Sequence, residues 1–122
     1  MNSRAKGARG ERELALFLND QGFPAKRGVQ FSQGKHGLTG ADIVCLPLDF
    51  LHIECKRVEA GNLYIWLKQS IRDAKEKIAT VFHKRNNEEW VVILRAEDFL
   101  HIVKQTDLIE AEDFCEEIER VY

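Results

Sequence analysis

The sequence predicts an α/β layer fold, in which helices pack on a mixed sheet. Three observations indicate this class. A segment near the N-terminus has apolar residues at helical spacing, later segments are short apolar runs between turn signals, and a second helical pattern divides those runs into two groups. The predicted order is one helix, three strands, a helix, two strands and two closing helices. A chain of 122 residues supports one core, so we expect a single domain over residues 1–122.

Each element follows from a hydrophobic period. In the first helix Leu14, Phe17 and Leu18 fall on one face, and Gly22 terminates the pattern. The strands are apolar runs bounded by turns such as the one around Pro47. We predict helices at 9–23, 62–79, 96–105 and 107–121, strands at 25–31, 41–46, 50–58, 80–86 and 89–95, and a glycine-rich loop at 32–40.

Composition excludes several classes of protein. Apolar residues make up 44% of the chain and charged residues 31%, which is typical of a soluble globular domain. No apolar run approaches the roughly 18 residues that span a bilayer, and the first residues lack the apolar stretch of a signal peptide. We therefore expect a cytoplasmic protein. Its cysteines, Cys45, Cys55 and Cys115, are odd in number and form no CxxC pair, which argues against a zinc knuckle or a disulfide framework.

Charge is distributed unevenly along the chain. The net charge of −2 conceals seven basic against three acidic residues in 1–40, and three against nine in 93–122. A basic segment on a nearly neutral protein suggests a local anion site, although a solvated helix face would have the same composition. We expect residues 96–122 to form an acidic helical tail.

The segment HIECKRV contains the first candidate site. Side chains alternate along a strand, so Glu54 and Lys56 share one face. We expect Ile53, Cys55 and Val58 on the buried side of this strand. An exposed Glu/Lys pair on an amphipathic strand is commonly just a solvated face, and this reading stands beside a catalytic one.

A turn near residue 48 would set Asp42 opposite Glu54 on the neighbouring strand. Directly opposed residues have Cβ atoms roughly 4.5–5.5 Å apart, and two carboxylates that close repel each other unless something neutralises them. A divalent cation such as Mg²⁺ does so, with the backbone carbonyl of Cys55 as a third ligand. Lys56 would then hold or activate a water molecule, or stabilise negative charge on a phosphate.

Three segments of the sequence together resemble a known family. The segments GERELALFLNDQGF, ADIV and HIECK, with an arginine and a serine between the first two, resemble the PD-(D/E)XK nucleases, most of all their Holliday junction resolvase branch. They are also similar to small nucleases of that type carried by phages and prophages. The resemblance covers about residues 7–95. It implies a restriction-endonuclease-like core, with a central mixed five-stranded sheet flanked by helices.

The resemblance also implies a function and its residues. It implies a metal-dependent endonuclease, using Mg²⁺ with Mn²⁺ able to substitute, that acts as a homodimer on DNA, most of all on branched DNA such as four-way junctions. Neither a membrane nor a small organic cofactor is expected, and the setting would be the cytoplasm of a bacterial or phage-infected cell. Glu11 would help to hold the metal, directly or through water. The catalytic residues implied are Glu11, Asp42, Glu54 and Lys56.

Further residues are candidates for contact with DNA. The basic residues near the start of the first helix would meet phosphates, with surface solubility as the alternative. Gln69 lies on the second helix, where related nucleases carry a polar residue near the site. His52 shares the face of Glu54, and it either approaches the site or serves as a structural hydrogen-bonding residue. The DNA-binding candidates are Arg4, Lys6, Arg9, Arg12, Arg27, Ser32, Lys35, Gln69, Lys84 and Arg85.

Some features depart from the family pattern. Ala41 precedes the aspartate where the motif name has proline, loop 32–40 is longer than in the compact archaeal enzymes, and the acidic tail has no counterpart. These departures leave junction specificity open. The same nuclease core serves other substrates, so a nuclease acting on linear or other DNA remains an alternative. A non-catalytic DNA-binding or assembly protein is the second alternative, although such a protein needs no opposed carboxylates.

Overall fold

A computed structural model of the protein describes residues 3–28 and 41–109, with side chains in the first segment from Ala5 onward. The helices are α1 (Ser3–Asp20), α2 (Leu63–Ala74) and α3 (Ala96–Lys104), the strands are β1 (Lys26–Arg27), β2 (Ile43–Val44), β3 (Leu51–Arg57), β4 (Ile78–Lys84) and β5 (Val91–Ile93), and a short 3-10 helix spans Leu46–Leu48. Within these residues, no helix combines the length and the apolarity that a membrane crossing requires.

The strands form one mixed sheet. Its order is β1-β2-β3-β4-β5, and each strand pairs with its neighbour in the sequence. Only the β3–β4 pair is parallel among these pairs, because α2 carries the chain back across the sheet between them. This five-stranded sheet with flanking helices confirms the predicted α/β class and matches a restriction-endonuclease-like core.

Helices cover both faces of β3. On one face, Leu14 and Leu18 of α1 pack against Ile53 and Phe82, and these residues belong to the main hydrophobic core. On the other face, α2 lies over β3 and β4, where Val81 is fully buried. The side chains at alternate positions of β3 therefore meet different helices, and the even-numbered ones face α2.

The second helix is shorter than its apolar pattern suggests. The predicted helix 62–79 ends at Ala74, the next residue, Lys75, has a φ of 56°, and Ile78 already pairs with Leu51 in the sheet. Apolar residues at positions 74 and 78 satisfy a helical period, but parallel pairing with β3 takes the second of them into β4. Tertiary pairing here overrides local periodicity.

Other predicted elements are also adjusted. The first helix begins at Ser3 rather than at residue 9, and only two residues of the predicted strand 41–46 are paired as a strand before the 3-10 helix. Val58 was predicted on the buried side, and this is wrong, because it follows the end of β3 and is exposed. Loop 32–40 and residues 110–121 of the last predicted helix lie outside the described residues.

Candidate active site

Asp42 and Glu54 face each other across two neighbouring strands. The antiparallel register pairs Ile43 with Ile53, which sets Asp42 directly opposite Glu54. The Asp42 amide donates to the Ile53 carbonyl at 3.1 Å, and the Cys55 amide donates to the Asp42 Oδ2 at 2.9 Å. The carboxyl of Asp42 also shares a hydrogen bond with Glu54. The register is the one that the sequence predicted.

The pKa values of the two carboxyls shift in opposite directions. Burial, followed by the charge of Glu54, raises the pKa of Asp42 to about 8, although the hydrogen bond from the Cys55 amide opposes the rise. Burial also disfavours the charge of Glu54, but hydrogen bonds with His52 and Asp42 outweigh it and lower the pKa of Glu54. Without a cation, one of the two carboxyls thus keeps its proton at neutral pH. A divalent cation fits this donor set, because it replaces that proton and neutralises both charges.

His52 belongs to the site. Its side chain is 1% exposed, and its Nε2 lies 2.7 Å from the Glu54 Oε1. The Oγ1 of Thr80 donates to the backbone carbonyl of His52 at 2.8 Å, which ties this part of β3 to β4. His52 is therefore a hydrogen-bonding residue whose partner is a candidate metal ligand.

Asp73 is a member of the site that the sequence did not predict. Ligand atoms of His52, Glu54 and Asp73 all lie within 4.8 Å of one another. Asp73 follows Gln69 by four residues on α2, so both occupy the same helix face. That spacing is the signal in the sequence that points to it.

Lys56 extends from the same face of β3 as Glu54. Its Nζ lies 6.0 Å from the centroid of the Trp66 ring, at the outer limit of a cation–π contact. The Trp66 ring packs on His83 with centroids 5.0 Å apart. A Cβ added at Gly61 would lie 2.0 Å from the Trp66 ring, so only glycine leaves room for the indole there. Trp66 therefore lies beside the Lys56 side chain.

Glu11 reaches the site from α1. A Cβ at Gly10 would come within 2.6 Å of the Arg57 Cβ, so glycine permits the close approach of α1 to β3. Glu11 is buried, its Oε1 accepts a hydrogen bond from the Arg27 Nε at 3.0 Å, and its charge adds to the rise in the pKa of Asp42. It also lines a cavity of about 330 Å³ together with Lys56 and Lys6.

Among the residues that the structure describes, the remaining DNA-binding candidates do not line this cavity. Arg9, Arg12, Gln69 and Arg85 are exposed, whereas the Nζ of Lys84 lies 3.5 Å from Glu13. The side chain of Arg4, together with Ser32 and Lys35, lies outside the described part of the chain.

Arg57 was not singled out from the sequence. Its guanidinium bonds to Glu13 at 2.9 Å and to Asn86 at 3.0 Å, and it also approaches Glu59. These partners lie 44, 29 and 2 residues away along the chain. This arrangement ties α1 to the strand that carries Glu54.

Comparison with known protein families gives a match. The model of a family described as phage putative PDDEXK endonuclease matches residues 2–119. Neither the curated proteins nor the solved structures contain a match to the chain. The matched span includes α1 and all five strands, and with them the four residues to which the sequence resemblance gave catalytic roles. The match is to this endonuclease family and does not distinguish a junction-resolving branch.

Proposed function

The chain belongs to the phage putative PDDEXK endonuclease family, and on that basis we propose that it is a metal-dependent endonuclease that cuts branched DNA, four-way junctions above all. The observation that carries metal-dependent cleavage is the position of Asp42, one residue before β2, opposite Glu54 of β3. Two half-buried carboxyls side by side are unfavourable in a purely structural role. They become favourable when a divalent cation binds between them.

Asp42 and Glu54 would hold the cation, with the backbone carbonyl of Cys55 as a further ligand. Oxygen ligands suit Mg²⁺, and Mn²⁺ would substitute for it. When bound, the cation would stabilise negative charge on the phosphate undergoing hydrolysis. Glu11 would add a third carboxylate near the cation, and Arg27 would keep it oriented through their hydrogen bond of 3.0 Å.

Lys56 would supply positive charge near the reacting phosphate. It lines the same cavity as Glu11, and its Nζ lies 6.0 Å from the centroid of the Trp66 ring. We propose that its ammonium group orients the attacking water or the scissile phosphate. Both roles require that the protein hold the ammonium group at a fixed position. Such electrostatic preorganisation is what phosphoryl transfer depends on.

Basic residues near the cavity would position the DNA backbone. Lys6 lines the cavity, and Arg9 and Arg12 are exposed on the same helix. Contacts of this kind bind phosphates without reading sequence. They would place a backbone across the carboxylates, whichever bases lie beside it.

Paired cuts in a branched substrate require two active sites. A C₂ homodimer supplies them, and we propose that the chain forms one. The β5 edge supports this, because β5 pairs only with β4 among the described strands and leaves Val91 and Val92 exposed. Phe99 and Leu100 of α3 add exposed apolar surface.

A gel assay with labelled DNA and Mg²⁺ tests the proposal. It compares a four-way junction with a linear duplex of the same sequence, for the wild type and for Lys56→Ala. Lys68→Ala is the matched control, since Lys68 is exposed on α2. We expect symmetric nicks in the junction, lost in Lys56→Ala and kept in Lys68→Ala. Equal cleavage of both substrates would retain the nuclease and contradict junction specificity, and cleavage unaffected by Lys56→Ala would contradict the catalytic account.

A further inference from the structure

A second group of ligand atoms lies beside the opposed carboxyls. His52 and Glu54 come from β3 and Asp73 comes from α2, and their ligand atoms lie within 4.8 Å of one another. Ligands on adjacent vertices of an octahedral ion are about 3 Å apart, given metal–ligand distances of about 2.1 Å. Small side-chain rotations would therefore bring these three groups to coordinating positions.

The imidazole of His52 is held inside this group of ligand atoms by the fold. The side chain is 1% exposed, and its Nε2 points at Glu54 from a distance of 2.7 Å. The neighbouring strand holds the His52 backbone through Thr80. The ring is thus aimed into the cluster by the sheet, whereas Asp73 approaches from the exposed surface of α2.

This group has a different chemistry from the Asp42–Glu54 pair. Two carboxylates and a backbone carbonyl are oxygen ligands, which suit Mg²⁺. A set with one imidazole favours ions such as Mn²⁺ and the later first-row metals over Mg²⁺. Glu54 contacts both Asp42 and His52, so its carboxylate is placed to bridge two ions.

We propose that His52, Glu54 and Asp73 form a second divalent-cation site, adjacent to the one held by Asp42 and Glu54 and selective for Mn²⁺-like ions. The inference rests on the proposed function for the first site, and it adds a second ion that shares Glu54. Carboxylate-bridged ions about 3.5–4 Å apart are a common arrangement in enzymes that hydrolyse phosphate esters.

The test uses Mn²⁺ alone as the probe, without DNA. Electron paramagnetic resonance counts the bound Mn²⁺ ions per chain. Pulsed electron paramagnetic resonance detects an imidazole nitrogen bound directly to Mn²⁺. The variants are Asp73→Asn, which changes an exposed residue, and His52→Asn. Asp20→Asn is the control, since it removes an equivalent charge at the exposed end of α1.

We expect two Mn²⁺ ions per wild-type chain, with a nitrogen signal. Asp73→Asn should weaken one of them at least tenfold, in line with the 10–100-fold effects of altered metal surroundings. His52→Asn should abolish the nitrogen signal, and Asp20→Asn should behave as the wild type. Asp42→Asn should retain the ion that gives the nitrogen signal.

A single Mn²⁺ ion without a nitrogen signal would overturn the second site, as would Asp73→Asn binding like the wild type. DNA cleavage separates this failure from that of the proposed function. A wild type that cuts DNA but binds one ion overturns only the second site. A wild type that binds two ions with a nitrogen signal but never cuts DNA supports the second site and overturns the proposed function.

Discussion

Asp42 lies opposite Glu54 in the β2–β3 register, and its Oδ2 accepts a hydrogen bond of 2.9 Å from the amide of Cys55. That single amide does not offset burial and the neighbouring carboxylate, which raise the pKa of Asp42 to about 8. The pair is therefore under strain whenever both groups are ionised without a cation. This strain has consequences for stability and for metal binding.

The first prediction concerns the stability of the metal-free protein. Burial and the charge of Glu54 raise the pKa of Asp42 from its ordinary 3.8 to about 8 in the folded chain. Its stabilising contribution is present in full below the lower value and is lost as pH rises through the higher one. We expect urea unfolding in EDTA to show falling stability between pH 5 and pH 9. Added Mg²⁺ should restore stability most at pH 9.

Asp42→Asn provides the comparison for this prediction. The amide cannot ionise, so the fall in stability between pH 5 and pH 9 should be much smaller in the variant. An equal fall in the variant and the wild type would show that other groups cause it, and would contradict the assignment to Asp42.

The second prediction concerns the approach of α1 to β3. A Cβ at Gly10 would lie 2.6 Å from the Arg57 Cβ, whereas a Cβ at Gly7 meets nothing within 4 Å. Gly10→Ala should lower the free energy of unfolding by about 1–3 kcal/mol through overpacking. Gly7→Ala, in the same helix, should be neutral or raise it by up to about 1 kcal/mol. Thermal or urea unfolding measures both, and equal effects would contradict the close approach.

The third prediction concerns contact with the DNA backbone. Lys6 lines the cavity beside Glu11 and Lys56. If it neutralises one phosphate, Lys6→Gln should lower the slope of log affinity against log salt by about 0.9. Fluorescence anisotropy with labelled DNA in Ca²⁺ would measure this slope without requiring cleavage.

Lys77→Gln is the control for Lys6. The Nζ of Lys77 bonds to Asp49 at 3.0 Å, just before the start of β4, and Lys77 does not line the cavity that Lys6 lines. It should leave the salt slope unchanged. If Lys77→Gln lowered the salt slope and Lys6→Gln left it unchanged, the DNA would bind on another surface.

The opposition of Asp42 and Glu54 could be predicted from the sequence because two local rules determine it. Alternation along β3 puts Glu54 and Lys56 on one face, and a short connection after β2 allows a narrow choice of register. Neither rule depends on the rest of the fold. The five-stranded sheet could be predicted for the same reason, since its strands are consecutive in the chain.

Asp73 could not be predicted in the same way. Its helical spacing gives the face of α2 on which it lies, but only the docking of α2 on β3 decides that it meets His52 and Glu54. The Arg57–Glu13 bond, between residues 44 positions apart, also depends on helix docking. Contacts between layers of the fold follow from tertiary packing, which local periods do not encode.

The most direct measurement of the central claim is single-turnover cleavage of labelled DNA at saturating Mg²⁺ by the wild type, Asp42→Asn and Asp49→Asn. Asp49 is an exposed aspartate paired with Lys77, so its variant controls for the loss of one carboxylate. The account predicts a loss of at least about 10²-fold for Asp42→Asn and none for Asp49→Asn. Cleavage at the wild-type rate by Asp42→Asn would contradict the account.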